Sequence, residues 1–262
     1  MKIFFSEYKN DYATYTFSYA PYCKIESPSD LPNAYAQGFL PYSGDITLVA
    51  DIFYMARSVR INLKNFADTS ENRRINRKIA ELNIEMQLVE KSDAWVNSED
   101  FLNFCMRNAD KRFSAGSMNL ERMRYIVNRS YFTHLFIFKN AEKVLGYVFA
   151  VLESDMLHYW FGFYDLGFAY FSIGKWMMWR TIKWAEAQKL NYVYLGTAYF
   201  SKALYKVRDH KGIEFFDGTT WNAETKLLKT LCESDDSANE TKADAFKSIK
   251  PEIDFFKPFR AI

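Results

Sequence analysis

The chain has 262 residues, 49% hydrophobic and 25% charged, so it can bury a substantial core and is not an intrinsically disordered sequence. A net charge of +2 is too small to imply nucleic-acid binding by itself, and no run nears the roughly 20 apolar residues of a membrane span. Cys23, Cys105 and Cys232 lie far apart without a CxxC pair, and "MKIFFSEYKNDY" meets charge too early for a signal peptide, so a reduced, cytoplasmic protein with no membrane association is expected.

The first third is rich in strand formers. "YATYTFSYA" and "DITLVADIFYMA" read as strands. Between them, "DLPNAYAQGF" opens with Pro32 and closes at Gly38, the signature of a short helix. "SENRRINRKIAEL" reads as a basic helix capped by Thr69 or Ser70. It lies in a basic tract holding Arg57, Arg60, Lys64, Arg73, Arg74, Arg77 and Lys78 against Asp68 and Glu71. "LNIEMQLVE" alternates apolar and polar residues, which predicts a half-buried strand. Two helices follow: "SEDFLNFCMRNADKR", capped by Ser98, and "NLERMRYIVNR", with Leu120, Met123 and Val127 on one face.

The second half is more regular. "YFTHLFIF", "VLGYVFAVLE" and "MLHYWFGFY" are three consecutive strands joined by turns at "KNAEK" and "SD". Residues 172–189 form an amphipathic helix, "NYVYLG" a strand, "SKALYKVRD" a helix and "IEFFDG" a strand. The acidic segment 233–244 is expected to be a solvated loop or mobile segment. The order β-β-β-α-β-α-β is an α+β pattern. It resembles the N-acetyltransferase-like (GNAT) fold, with a mixed sheet and a β-rich N-terminal region packed on it. The expected division is residues 1–95 for that region and 96–262 for the transferase domain.

The motifs sharpen this. "FYDLGFAYFSIGKW" and "NYVYLGTAYFSKALYKVRDHKGIEFFDGTTW" resemble the C-terminal half of arginyl-tRNA–protein transferases and their bacterial leucyl-transferring relatives. "SYAP", "AYAQGFLPYSGD", "VRINLKNFADTSENRRINRK" and "FCMRNADKRFSAGSMNLERMRYIV" follow that family's order, so the resemblance runs from about Tyr15 to Trp221. Positions on the pattern include Tyr164, Asp165, Ser172, Gly174, Tyr192, Tyr194, Leu195, Gly196, Tyr199, Lys202, Tyr205 and Lys206. There are departures. Phe17, Phe53 and Ala56 stand where the family has cysteines linked to metal or iron–sulfur binding, and Asn108 replaces a histidine. Phenylalanine and alanine cannot replace thiolate ligands, so no metal is expected. No cofactor is expected either.

The resemblance implies transfer of an aminoacyl group, Arg or Leu, from aminoacyl-tRNA to the N-terminal α-amine of a protein, marking it for degradation. The donor is an activated ester and an α-amine has a pKa of about 8, so positioning and oxyanion stabilisation can carry the reaction without a strong base. Asp165 is the candidate to orient the amine; its ordinary reading is a loop or cap carboxylate. Tyr194 and Tyr199 are candidates to line an aminoacyl-adenosine pocket, or are simply strand aromatics. Tyr192 shares a strand face with Tyr194, and Gly196 would let the backbone approach a ligand closely. Ser172 and Gly174 open a helix whose backbone N–H groups suit a phosphate; Ser172 can equally be a plain cap. Lys202 and Lys206, four apart with Tyr205 between them, are expected to share a helix face toward tRNA phosphates, or toward solvent. Arg73, Arg74 and Arg77 crowd like charge on one helix, which an anionic partner would relieve, and the two basic helices are expected to form one track for tRNA. His134, His158 and His210 show no ligand spacing. Two other readings stay open: a GNAT enzyme using acyl-CoA, for which Gly174 alone is a poor match to the usual glycine-containing phosphate loop, and a non-catalytic relative.

Overall fold

The computed structural model describes residues 1–11, 16–113, 118–242 and 259. In chain order, the elements begin with strands β1 (Lys2–Asp11) and β2 (Thr16–Lys24), helix α1 (Leu31–Ala36), strands β3 (Phe39–Pro41), β4 (Ile52–Met55) and β5 (Ser58–Asn62), helix α2 (Ser70–Ile79) and strand β6 (Glu85–Glu90). Helices α3 (Asp93–Val96), α4 (Glu99–Arg112) and α5 (Leu120–Val127) lead to strands β7 (His134–Lys139), β8 (Val144–Glu153) and β9 (Met156–Tyr164). Then come α6 (Ile173–Ala187), β10 (Tyr192–Thr197), α7 (Tyr205–Arg208), β11 (Ile213–Phe216), β12 (Trp221–Asn222) and α8 (Thr225–Lys242). Among the described residues, no helix is long and apolar enough to cross a membrane.

The chain divides into two compact units. One comprises Met1–Val59, Thr197–Arg208 and Ile213–Ile262; the other comprises Arg60–Gly196 and Asp209–Gly212. The division expected after residue 95 falls inside the second unit.

The first unit carries an antiparallel sheet in the order β1-β2-β4-β3. Phe53 and Ala56, at two of the family's cysteine positions, are buried, and Phe53 meets Tyr35 edge to face at 5.8 Å. Phe17 also lies in β2. Gly38 has φ +82°, and a Cβ there would sit 2.3 Å from the Phe216 ring, so position and contact both require glycine. The acidic tract expected to be a loop is helical as far as Lys242; residues 243–244 lie outside the described residues. Leu228 and Cys232 are fully buried, while Asp235 pairs with Arg57 at 2.6 Å and Asp236 accepts the Ser201 backbone N–H at 3.1 Å. One apolar stripe and two receptive groups thus make a helix of a sequence whose polarity suggests none.

The second unit holds a mixed sheet running β5-β10-β9-β8-β7-β6. Strands β6 to β9 form an antiparallel meander, and β10 joins β9 in parallel after the α6 crossover. Alternation sorts the side chains between two layers. Leu135, Tyr147, Phe149 and Phe163 enter a core with Phe101, Cys105 and Ala109 of α4 and Met123, Ile126 and Val127 of α5. Phe136 and Phe138 point the other way, meeting Trp184 and Trp176 of α6 at 5.1 and 5.8 Å. Leu120, expected on the buried stripe of α5, is 43% exposed because it is the first residue of that helix. Thr69, not Ser70, caps α2, forming a reciprocal capping box with Asn72. Ser98 has N-cap backbone angles without a side-chain cap bond.

Phe149 is fully buried and stacks against Phe132 at 4.7 Å and Phe101 at 5.7 Å. Removing it opens a cavity in the layer packed against α4 and α5. Phe149→Ala is expected to lower unfolding stability by about 3–5 kcal/mol. Urea denaturation followed by tryptophan fluorescence measures this, and a loss below about 1 kcal/mol would show that the site is not central to the core.

Candidate functional site

The β9–β10 ladder holds three pairs, Tyr192↔Met156, Val193↔Leu157 and Tyr194↔His158. Both strands then continue, β9 to Tyr164 and β10 to Thr197. Two features mark the parting. The β8–β9 register shifts between Phe149 and Ala150, so Trp160 sits at a bulge in β9. Gly196 has φ +81°, a left-handed value that suits glycine. Where a parallel pair opens in this way, strand N–H and C=O groups become available to an acyl group.

At the C-terminal end of β9, a pocket of about 400 Å³ is lined by Phe104, Arg107, Asn108, Asp110 and Lys111 of α4 and by Tyr164, Asp165, Leu166 and Gly167. Asp165 lines it. Its carboxylate accepts the Gly167 backbone N–H at 2.9 Å, capping the 3-10 turn Leu166–Phe171, and pairs with Lys143 at 2.7 Å. The Lys143 ammonium holds the carboxyl below its ordinary pKa, assisted by the Gly167 N–H. Asp165 is therefore an ionised acceptor at neutral pH. Arg107 and Lys111 are exposed and one helical turn apart, on the pocket side of α4. Asn108 is 2% exposed, and its Nδ2 donates to the Tyr164 carbonyl at 2.6 Å. Its Oδ1 is buried without a hydrogen-bond partner.

Gly174 belongs to the same end of β9. A Cβ on it would stand 2.5 Å from the Tyr164 ring, so the missing side chain makes room for tyrosine. Ser172 occupies the N-cap of α6 with φ 61° and without a side-chain cap bond. The α6 N-terminus is thus approached through an aromatic 3-10 turn.

Tyr194 is elsewhere. It lies opposite His158, and Asp165 follows the last residue of β9, seven positions further along the chain. At about 3.3 Å per residue this places the two roughly 20 Å apart. Of these two candidates, Asp165 lines the pocket and Tyr194 does not. Tyr194 is 1% exposed, and burial pushes its phenol up to about 12. Tyr192 and Tyr194 do share a strand face, with rings 6.3 Å apart, and the Arg60 guanidinium lies 3.9 Å from the Tyr192 ring centroid. These tyrosines pack against an arginine. Arg60 gave no signal as their partner in sequence, since the contact joins strands far apart in the chain.

On α2, Arg73, Arg74 and Arg77 are exposed. Arg74 makes a two-pronged bond to Glu71 at 2.7 and 2.8 Å, and Arg73 donates to the Asp68 carbonyl at 3.1 Å. The crowding is thereby partly relieved within the helix. The remaining candidates lie in the first unit. Tyr199 accepts the Arg57 backbone N–H through its hydroxyl at 2.9 Å, and the Arg57 guanidinium covers its ring at 4.8 Å. Lys202 and Tyr205 are exposed. Lys206 is not on a shared outward face with Lys202, because Ser201–Leu204 is a 3-10 turn and the α-helical turn begins only at Tyr205. Its ammonium donates to the Thr197 carbonyl at 2.8 Å, and burial lowers its pKa to about 8. Among the described residues, no three His, Cys, Asp or Glu side chains group closely enough to hold a metal ion. Arg107 and Lys111 went unnoticed in the sequence; their four-residue spacing on an amphipathic helix was the available signal.

A family profile described as "Acetyltransferase (GNAT) domain" matches residues 107–207. The protein carries a GNAT-like domain of acyltransferase type, with an additional antiparallel sheet. No curated protein matches the chain. Among solved structures it is similar to L-PGS from Bacillus licheniformis, at 13% identity and TM-score 0.40, covering 83% of this chain and 72% of that one. FemX gives 11% identity and TM-score 0.40, with 68% and 62% covered. The C-terminal domain of a putative lysylphosphatidylglycerol synthetase from Agrobacterium fabrum gives 12% and 0.37, with 68% and 54% covered.

Lys206 yields a pH prediction. Its folded pKa of about 8 lies below the usual 10.5. Between these values the unfolded chain binds more protons, so this group makes stability rise with pH from about 8 to 10.5. The stability difference between wild type and Lys206→Met, followed by urea denaturation across this window, should shift in favour of wild type as pH rises. A flat difference would show that the ammonium is well solvated.

Proposed function

We propose that the protein is an aminoacyl-tRNA–protein transferase, moving an Arg or Leu aminoacyl group from tRNA to the N-terminal α-amine of a protein and so marking it for degradation. The observation that carries this reading is the end of β9, where an ionised Asp165 lines a pocket with Arg107, Asn108 and Lys111. The acceptor amine would enter the pocket and donate to Asp165. The ester carbonyl would lie along the opened strand edge, where backbone N–H groups can stabilise the oxyanion. The neutral amine attacks, the N–C bond forms and the C–O ester bond breaks. One amine proton is given up and the released ribose oxygen takes one, so no redox partner or metal is required.

A second reading, acyl-CoA as donor, is favoured by the description of the matching family profile. The turn before α6 weighs against it. Gly174 is filled by Tyr164 rather than left open, and Phe168, Tyr170 and Phe171 stand where a glycine-containing phosphate loop is usual in CoA-dependent enzymes.

The test offers the protein arginyl- or leucyl-tRNA and, separately, acetyl-CoA, with peptides bearing different first residues. Transfer from charged tRNA is expected. Asp165→Asn should lower kcat/KM by roughly 10- to 100-fold, the size of one lost charge-assisted hydrogen bond. Transfer from acetyl-CoA alone would replace this reading with the second.

A further inference from the structure

The 3-10 turn between β9 and α6 presents Tyr170, which is 79% exposed, the highest value among the exposed large hydrophobic side chains of the described residues. An aromatic ring left in water forgoes the gain of burial. This ring is nonetheless held in place. The Lys78 ammonium of α2 lies 3.8 Å from its centroid, and the same group donates to the Tyr170 carbonyl at 2.5 Å. Phe171 meets its edge at 5.6 Å. One face is thus occupied by a cation and the edge by a second ring, while most of the ring surface stays open.

The surroundings are cationic. Helix α2 carries Arg73, Arg74, Arg77 and Lys78 against Glu71 alone. Arg74 and Lys78 are one turn apart, so the charged stripe runs directly to the ring, and Arg77 neighbours Arg74 on the same side. With Arg74 bonded to Glu71 and Arg73 turned to Asp68, Arg77 is the cation of this stripe with no hydrogen-bond or ion-pair partner among the described residues. A fixed, solvent-facing ring beside a row of cations is the arrangement that takes an unpaired base on the ring and phosphates on the arginines.

We infer that Tyr170 and the Arg74–Arg77–Lys78 stripe form a binding platform for single-stranded RNA. This rests on the proposed use of tRNA as donor and names the surface of the second unit that would hold its unpaired end. Charge complementarity decides the occupant. A lipid surface would call for several exposed apolar side chains together, and here the neighbouring Phe168 and Phe171 are only half-exposed.

The experiment uses the full chain, a fluorescently labelled twelve-nucleotide single-stranded RNA, deacylated tRNA, and vesicles containing phosphatidylserine. Tyr170→Ala should weaken RNA binding by roughly 5- to 150-fold, the effect of one lost base–aromatic stack, and Tyr170→Phe should restore it. Arg77→Ala should reduce the slope of log K against log salt by about 0.7, one single-strand phosphate contact. RNA affinity unchanged in Tyr170→Ala overturns the inference, even where aminoacyl transfer is observed. Binding to vesicles but not to RNA also overturns it. Tyr170-dependent RNA binding without transfer supports the platform and refutes the proposed reaction instead.

Discussion

The end of β9 is the constraint on which the site depends. This strand loses its parallel partner after His158, yet must stop in a defined place and deliver the chain to α6. Five contacts fix that place. The Asp165 N–H donates to the Leu145 carbonyl at 2.8 Å, its carboxylate caps the turn and binds Lys143, Asn108 holds the Tyr164 carbonyl, and the Tyr164 ring fills the space over Gly174. The Lys143 side chain is 49% exposed and that of Asp165 29%, so the pair contributes little to stability, on the order of 0–1 kcal/mol. Its consequence is orientation: it aims and ionises a carboxylate at a pocket mouth.

Much of the second unit was legible because β8 and most of β9 are buried on both faces. "VLGYVFAVLE" and "MLHYWFGFY" coincide with β8 and β9, since unbroken apolar runs bounded by turn residues leave few other solutions. Asp165 could be named as a candidate through motif order. Its distance from Tyr194 was not legible, because a three-pair ladder followed by a bulge is a property of strand register, and register is settled by packing between distant segments. Lys206 was misread for a similar reason. Four-residue spacing places two lysines on one face only in an α-helix, and here a 3-10 turn intervenes. The helix α8 was hidden by its polarity; Leu228 and Cys232 anchor it, with Arg57 arriving from far upstream.

Asn108 bears on what the pocket can do. At the corresponding position the resembled family has a histidine, which could take a proton. Here the amide nitrogen is committed to the Tyr164 carbonyl, and the amide oxygen can only accept. Asp165, kept ionised by Lys143, is likewise an acceptor and too weak a base to deprotonate an ammonium near pH 7. The pocket lining contains no histidine, and His210 is buried with its pKa lowered to about 4, so it is neutral and enclosed. A pocket lined by two carboxylates, Asp110 and Asp165, and two exposed cations, Arg107 and Lys111, is suited to orient a substrate amine rather than to strip its proton. That is sufficient for an acceptor with a pKa of about 8 and an already activated ester, where a usable fraction of neutral amine exists without help. It is insufficient for a lysine side chain with a pKa near 10.4, of which about one part in a thousand is neutral at pH 7.4. Under the proposed reaction, the replacement of histidine by asparagine therefore restricts the acceptor to amines that lose their proton unaided, and α-amines meet that condition where ε-amines do not.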